Sequence, residues 1–205
     1  MRIGLIVDGQ GELDYLSNLT PRISTSHAIL ERAYYADMQP RATPQQIARA
    51  ASNAVKVLSS RCDLIVVLID SEGADCPGLF STAIHNAFNE VYSASNIRFK
   101  VVAKHWSLEN WLIADTDAIK CLKGRFKISD SLVNKVTGDR ADHESNPVRE
   151  LNKIALKQPY HKRHDPKKIA EHQTPEKMAK NSRSFRRLLR VLEHPQYVSQ
   201  SKKPV

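Results

Sequence analysis

The sequence is poor in the residues by which many folds and chemistries declare themselves. Its 205 residues include three cysteines, Cys62, Cys76 and Cys121. These are too few and too scattered for a disulfide framework, and no CxxC pair offers zinc-ligand spacing, so they read as reduced thiols. No apolar run approaches the roughly 20 residues that cross a bilayer, which excludes a spanning helix and leaves no membrane partner. The first apolar run, residues 3–7, ends at once in Asp8-Gly9 and is too short for a signal peptide, so a cytoplasmic location is expected. Only 7 residues are glycine. No GK[ST] follows any of them, which removes a Walker loop and with it an ATP site. No Ser/His/Asp or Cys/His constellation stands out, and there is no internal repeat or low-complexity tract.

What the chain does have is length for one domain of ordinary size with a helical appendage. Its 41% hydrophobic and 26% charged residues are those of a globular protein. The charge is divided unevenly. Residues 1–150 carry 17 basic and 18 acidic side chains, whereas residues 151–205 carry 14 and 4, so the whole net charge of +9 comes from the carboxyl-terminal quarter. A basic segment of this kind favours an anionic partner, of which nucleic acid is the commonest; the plainer alternative is a solvated helical face.

Residues 3–7, 63–70 and 97–105 read as strands buried on both faces, and DLIVVLID at 63–70 is unbroken from Leu64 to Ile69. HAILERAYYADMQ, residues 27–39, is expected as a more exposed strand at the sheet edge. A helix over residues 43–61 is capped by Thr43, has Pro44 at its first position, and lines up Ile47, Ala51, Val55 and Leu58. Pro77-Gly78 opens a second helix, with Leu79, Ile84, Ala87 and Val91 toward the sheet. Ser107 caps a third, with Glu109 in its first turn. The alternation predicts an α/β fold, a mostly parallel sheet with helices on both faces. The boundaries expected are an α/β core at 1–122 and a basic helical extension packed on it at 123–205, with a mobile tail at 197–205.

Functional groups in such sheets gather at the carboxyl ends of the strands. Asp8 and Glu12 follow the first strand, Asp70, Glu72 and Asp75 the second, and Glu109 the third. Carboxylates crowded at one edge repel one another unless a cation neutralises them, and hard oxygen ligands suit Mg²⁺ or Mn²⁺. Singly, each is an ordinary helix cap; the recurrence at successive strand ends is what points to a metal. A dinucleotide reading of Gly9-Gln10-Gly11 is weaker, since Asp14 takes the place of the third glycine and Asp8 and Glu12 would face a pyrophosphate with no cation between.

The order Asp8-Gly9-Gln10-Gly11-Glu12, then Asp70-Ser71-Glu72, resembles the Toprim fold of topoisomerases, primases and overcoming-lysogenisation-defect nucleases. Ser107 to Ile119, with Glu109-Asn110-Trp111-Leu112-Ile113-Ala114-Asp115, is similar to the signature of the bacterial domain-of-unknown-function 4276 family. The tail, from NPVRELNKIAL through YHKRHDPKKIAEH to SRSFRRLLRVL, resembles the carboxyl-terminal pattern of that family. Asp8 stands where Toprim usually has Glu, and Glu72 where Asp is usual. The resemblance implies that Asp8 is a general acid/base with Glu12 beside it, and that Asp70 and Glu72 hold Mg²⁺ or Mn²⁺ with Glu12 as a further ligand or a support to one; Glu109 is a candidate to complete the metal site, Asp75 a candidate to support it, and Asp115 either orients a neighbour or simply ends its helix. Trp111 reads as core packing in preference to a base-stacking platform.

Lys162, Arg163, Lys167 and Lys168 would contact a phosphate backbone, as would Arg183, Arg186, Arg187 and Arg190, which recur at i, i+3, i+4 and i+7 opposite Phe185, Leu188, Leu189 and Leu192. His161 and His164 flank Lys162-Arg163, where they would either assist a phosphoryl reaction or make surface contacts, the more ordinary use. The function expected is a Mg²⁺-dependent nuclease acting with a separate ATPase partner in bacterial defence. The alternative is a non-catalytic scaffold that binds nucleic acid or such an ATPase.

Overall fold

The three apolar runs become the three long strands of the sheet in the computed structural model, which describes residues 1–199. They are β1 (Arg2–Val7), β4 (Leu64–Asp70) and β5 (Arg98–Lys104). Two short strands, β2 (Ile29–Leu30) and β3 (Tyr34–Tyr35), pair in succession with β1, β2 at Arg2 and Ile3 and β3 at Ile6 and Val7, giving the order β2-β1-β4-β5 with β3 following β2 along β1. Every pairing is parallel. The edge segment expected as one strand is thus two pieces of two residues, and Arg32 and Ala33 between them leave the ladder.

Side chains alternate along a strand, so each run supplies both faces. Ile3, Leu5, Val7, Leu64, Val66, Leu68 and Val102 join one apolar cluster, and Ile6, Ile65, Val67, Ile69, Phe99 and Val101 join the other. At about 1.5–3 kcal/mol for each fully buried aliphatic side chain, β4 alone anchors both layers.

The second cluster is covered by α2 (Pro44–Ala50), α3 (Ser52–Ser59) and α4 (Pro77–Val91). The expected helix at 43–61 begins with the predicted cap, Gln46 N–H donating to Thr43 Oγ1, but breaks for one residue at Ala51. Ile47, Ala51, Val55 and Leu58 are all buried. Along α4, Ile84 and Ala87 are buried in the second cluster as expected, but Leu79, in the first turn, is 73% exposed.

The first cluster is covered by α1 (Gln10–Leu19), α5 (Leu108–Ile113), α6 (Thr116–Cys121) and the carboxyl-terminal helices. These are α7 (Asp130–Val136), α8 (Pro147–Ile154), α9 (Asp165–Ala170), α10 (Pro175–Asn181) and α11 (Arg183–Val191). Residues after 122 share this cluster with the strands: Phe126, Leu151, Ile169, Phe185, Leu188 and Leu192 pack in it alongside Leu5 and Leu68. In α11 the predicted apolar stripe is fully buried. Of the tail expected to be mobile, Tyr197 is buried and its amide donates to His194 O at 2.9 Å, because the ring has apolar surface to cover; residues 200–205 lie outside the described residues.

Candidate functional site

Parallel register sets the site. Val7 pairs with Leu68, and Asp70 pairs with Lys104, so Asp8, Asp70 and Lys104 reach the same carboxyl edge of the sheet. Asp70 and Lys104 continue the alternation of Leu68 and Val102, toward the face covered by α1 and the carboxyl-terminal helices. Gly9 ends the extended chain, and α1 begins at Gln10, which brings Glu12 back over the strand ends from the first turn of the helix.

Carboxylate oxygens of Asp8, Glu12 and Asp70 lie within 4.8 Å of one another. Lys104 stands among them, its side chain 1% exposed. Its ammonium lies 3.0 Å from Asp8 Oδ1 and 3.0 Å from Asp70 Oδ1, and it also donates to Glu12 Oε1. The other oxygen of Asp8 accepts the Asp70 amide N–H at 2.9 Å. Glu12 Oε2 is buried and has no partner among the described residues.

Three acids around one ammonium do not ionise alike. Burial raises Asp8, but the Lys104 charge and the hydrogen bonds it accepts outweigh that and hold it below the usual carboxylate range. Burial drives Glu12 well above its ordinary value, and the neighbouring Asp8 and Asp70 add to the rise against the pull of Lys104. Asp70 is raised by burial to about 6. Lys104 stays protonated, since the three carboxylates more than offset its desolvation. The cluster therefore sets a carboxyl held toward its ionised form, Asp8, beside one pushed toward its protonated form, Glu12, around a buried cation.

As a donor set, the three carboxylates of Asp8, Glu12 and Asp70 are close enough to share one metal ion. Lys104 is the residue that sequence reasoning missed. The signal available was weak: a lysine closing the run VVAK reads as the solvent-facing end of a strand, and only its pairing with Asp70 places it inside.

Other expected site residues lie outside the triad. Beyond Asp70 the ladder continues for two amides, Ser71 N–H to Lys104 O at 3.0 Å and Glu72 N–H to Trp106 O at 3.1 Å. Glu72 then adopts a left-handed φ of 45°, which swings its carboxylate outward to accept from Arg41 Nε at 2.9 Å. Asp75 is exposed, and Cys76, in its place, caps α4.

The Glu109 to Asp115 signature fastens the carboxyl-terminal half to the sheet. Glu109, buried, accepts from Tyr160 Oη at 3.1 Å, and its charge reaches Asp70 without its joining the triad. Asn110 Nδ2 donates to Ala141 O and Glu144 O, each at 2.8 Å. Trp111 is core, as expected: its Nε1 donates to Ser184 Oγ at 2.8 Å and its ring meets Phe185 edge-on. Asp115 spends both oxygens, Oδ1 on the Ala118 amide that it caps and Oδ2 on the Thr174 amide at 2.8 Å.

Of the basic residues, Lys162, Arg163, Lys167, Lys168 and Arg183 are exposed. Arg186 is not available as expected; Asp139 takes its guanidinium in a two-pronged ion pair, because the 137–143 loop folds against α11. Arg187 is half-buried, and burial together with Arg190 and Arg183 lowers its pKa. Lys162 sits beside the acidic turn: a Cβ on Gly11 would come within 3.1 Å of Lys162 O.

No helix among the described residues is long and apolar enough to cross a membrane. No curated protein and no solved structure matches the chain. The model of the family described as Domain of unknown function (DUF4276) matches residues 7–193, and the chain belongs to that family.

Proposed function

We propose that this protein is a Mg²⁺- or Mn²⁺-dependent nuclease with a Toprim-like acidic site, acting on phosphodiester bonds of nucleic acid. The observation that carries the reading is the triad itself: carboxylate oxygens of Asp8, Glu12 and Asp70 within 4.8 Å at the carboxyl edge of a parallel sheet, with a buried Glu12 oxygen that has no partner among the described residues. Phosphodiester cleavage needs an activated nucleophile and neutralisation of charge that builds on the phosphate oxygens, and a divalent cation supplies both when bound. Asp8 and Asp70 would hold it. Glu12, which burial pushes toward its protonated form, is better suited than Asp8 to move a proton at the reacting oxygen, and Lys104 supplies a positive charge beside them.

The acidic pattern also carries an expectation of a separate ATPase partner in bacterial defence, since the Toprim nucleases it resembles are commonly coupled to ATPases. The test is calorimetric titration of Mg²⁺ and Mn²⁺ into the wild type and Asp70→Asn, followed by cleavage assays on DNA and RNA. Saturable binding and cleavage, both lost in Asp70→Asn, are expected. Cleavage that persists in Asp70→Asn, or no metal binding at all, overturns the reading.

Lys104 favours a second reading. An ammonium already in contact with all three carboxylates satisfies them without a metal, as in a scaffold that binds nucleic acid or an ATPase and uses the cluster as a buried ion network. In that case Lys104→Met lowers stability, and divalent cations do not restore it.

A further inference from the structure

We infer that the loop His161-Lys162-Arg163-His164 is a preformed phosphate-binding element that holds a nucleic-acid strand against the acidic turn. The loop is built from beneath. Arg125 grips Asp165 with Nε at 3.0 Å and Nη2 at 2.5 Å, and also donates to Leu156 O, Gln158 O and Pro159 O. Asp165 in turn accepts the His161 amide at 2.7 Å. Tyr160 is pinned on both sides, its amide to Asn152 Oδ1 at 2.8 Å and its hydroxyl to Glu109. The segment leading into the loop and the loop's first amide are thus held by Arg125 and Asp165, which reduces the entropy of ordering the loop on a ligand.

What this frame presents is cationic and unspent. Lys162 and Arg163 are exposed, and neither side chain has a hydrogen bond or ion pair among the described residues. By contrast Arg2, Arg41, Arg125, Lys135, Lys153, Lys177 and Arg186 are all paired with acids. The His161 and His164 rings lie against each other, centroids 4.4 Å apart and planes tilted by 35°. His161 Nδ1 accepts the Arg163 amide at 3.3 Å, which places the proton of the neutral ring on Nε2, as a donor on the ring's other side.

The loop's position supplies the substrate argument. Gly11, in the first turn of α1 beside Glu12, lets the backbone at Lys162 and Arg163 approach to a distance a side chain would crowd, so the loop is seated against the turn that carries Glu12. A lone phosphate meets either the cations or, through a metal, the acids. A polynucleotide presents phosphates in series, so one is gripped by the loop while a neighbour lies at the triad. The role in positioning substrate rests on the nuclease reading; the binding itself does not.

The experiment measures affinity and its salt dependence by fluorescence anisotropy, using labelled single-stranded DNA, the matching RNA, and duplex DNA, with unlabelled oligonucleotide, mononucleotide and inorganic phosphate as competitors. Lys162→Glu/Arg163→Glu should weaken binding by on the order of tenfold to a hundredfold at low salt and reduce the slope of log K against log salt by about 2. Arg49→Glu/Lys56→Glu makes the same change of charge at exposed positions on the opposite face of the sheet and should alter neither much. Competition by oligonucleotide alone identifies a strand as the ligand, and equal competition by mononucleotide identifies a terminal phosphate. Equal losses in both double variants, an unchanged slope, or no binding by the wild type overturns the inference. Asp70→Asn separates the two proposals: it should bind as the wild type does while cleavage is lost. A loop variant that binds weakly in a protein that cleaves nothing keeps the loop and removes the nuclease; a loop variant that binds and cleaves normally does the reverse.

Discussion

Removing Lys104 tests the electrostatic design of the site most directly. Its ammonium is 3.0 Å from both Asp8 and Asp70, a separation at which each pair attracts by about 5 kcal/mol at an effective dielectric of 20, before desolvation is subtracted. Breaking a buried ion network by deleting one partner costs about 3–5 kcal/mol, because the remaining charges keep their desolvation penalty and lose their compensation. Lys104→Met preserves most of the side-chain volume and leaves Asp8, Glu12 and Asp70 facing one another. For a domain of this size about 2–4 °C of Tm accompanies each kcal/mol, so thermal unfolding in chelator at pH 7 should show a fall of about 6–20 °C. Two rescues are expected. Acidification to pH 5 protonates the unbalanced carboxylates and should recover part of the loss. A divalent cation should recover more, by about 2.7 kcal/mol at a hundred times its Kd, with a smaller effect on the wild type, where Lys104 competes for the same oxygens. A variant as stable as the wild type at pH 7, or one that acid makes no more stable, would refute the reasoning about the cluster.

Three further outcomes are expected. Asp70, raised by burial to about 6 from 3.8, binds a proton more tightly folded than unfolded, so its contribution to stability is complete below about pH 4 and is lost as pH rises through 6. Urea unfolding should therefore show the wild type gaining on the order of 1 kcal/mol relative to Asp70→Asn between pH 7 and pH 5, and parallel pH profiles would contradict the assignment. Asp142, buried, accepts from Ser182 Oγ at 2.8 Å and from the Ser184 amide at 2.7 Å, so Asp142→Ala should cost about 3 kcal/mol, and an unchanged denaturation midpoint would show that α11 does not depend on it. Gly73 sits at φ 80° with Trp106 across it, and a Cβ there would meet the ring at 2.3 Å; Gly73→Ala should lose about 1–3 kcal/mol and shift tryptophan fluorescence, whereas an identical spectrum and midpoint would mean that the ring moves freely.

The sequence by itself determined the elements. The runs of β1, β4 and β5, the Thr43 cap with Pro44, and the division of α11 into arginine and leucine faces are local patterns, and each fold-forming step in them acts over a few residues. It also determined that acids accumulate after β1 and β4, which is why Asp8, Glu12 and Asp70 were legible as a group. Tertiary structure alone decided what those acids meet. Lys104 becomes their counter-ion only because β5 pairs with β4 in the register that sets it opposite Asp70. Glu72 leaves the site through a backbone turn that a reading of strand ends does not reveal. Glu109 and Asp115 have the residue types of ligands, but partners that lie about fifty to sixty positions away, Tyr160 and Thr174, employ them as fastenings. Arg186 likewise carries the same pattern as Arg183 until Asp139 folds against it. Periodicity and capping report interactions within a few residues, whereas the ionisation and availability of a charged side chain depend on which distant group is brought within about 3 Å of it.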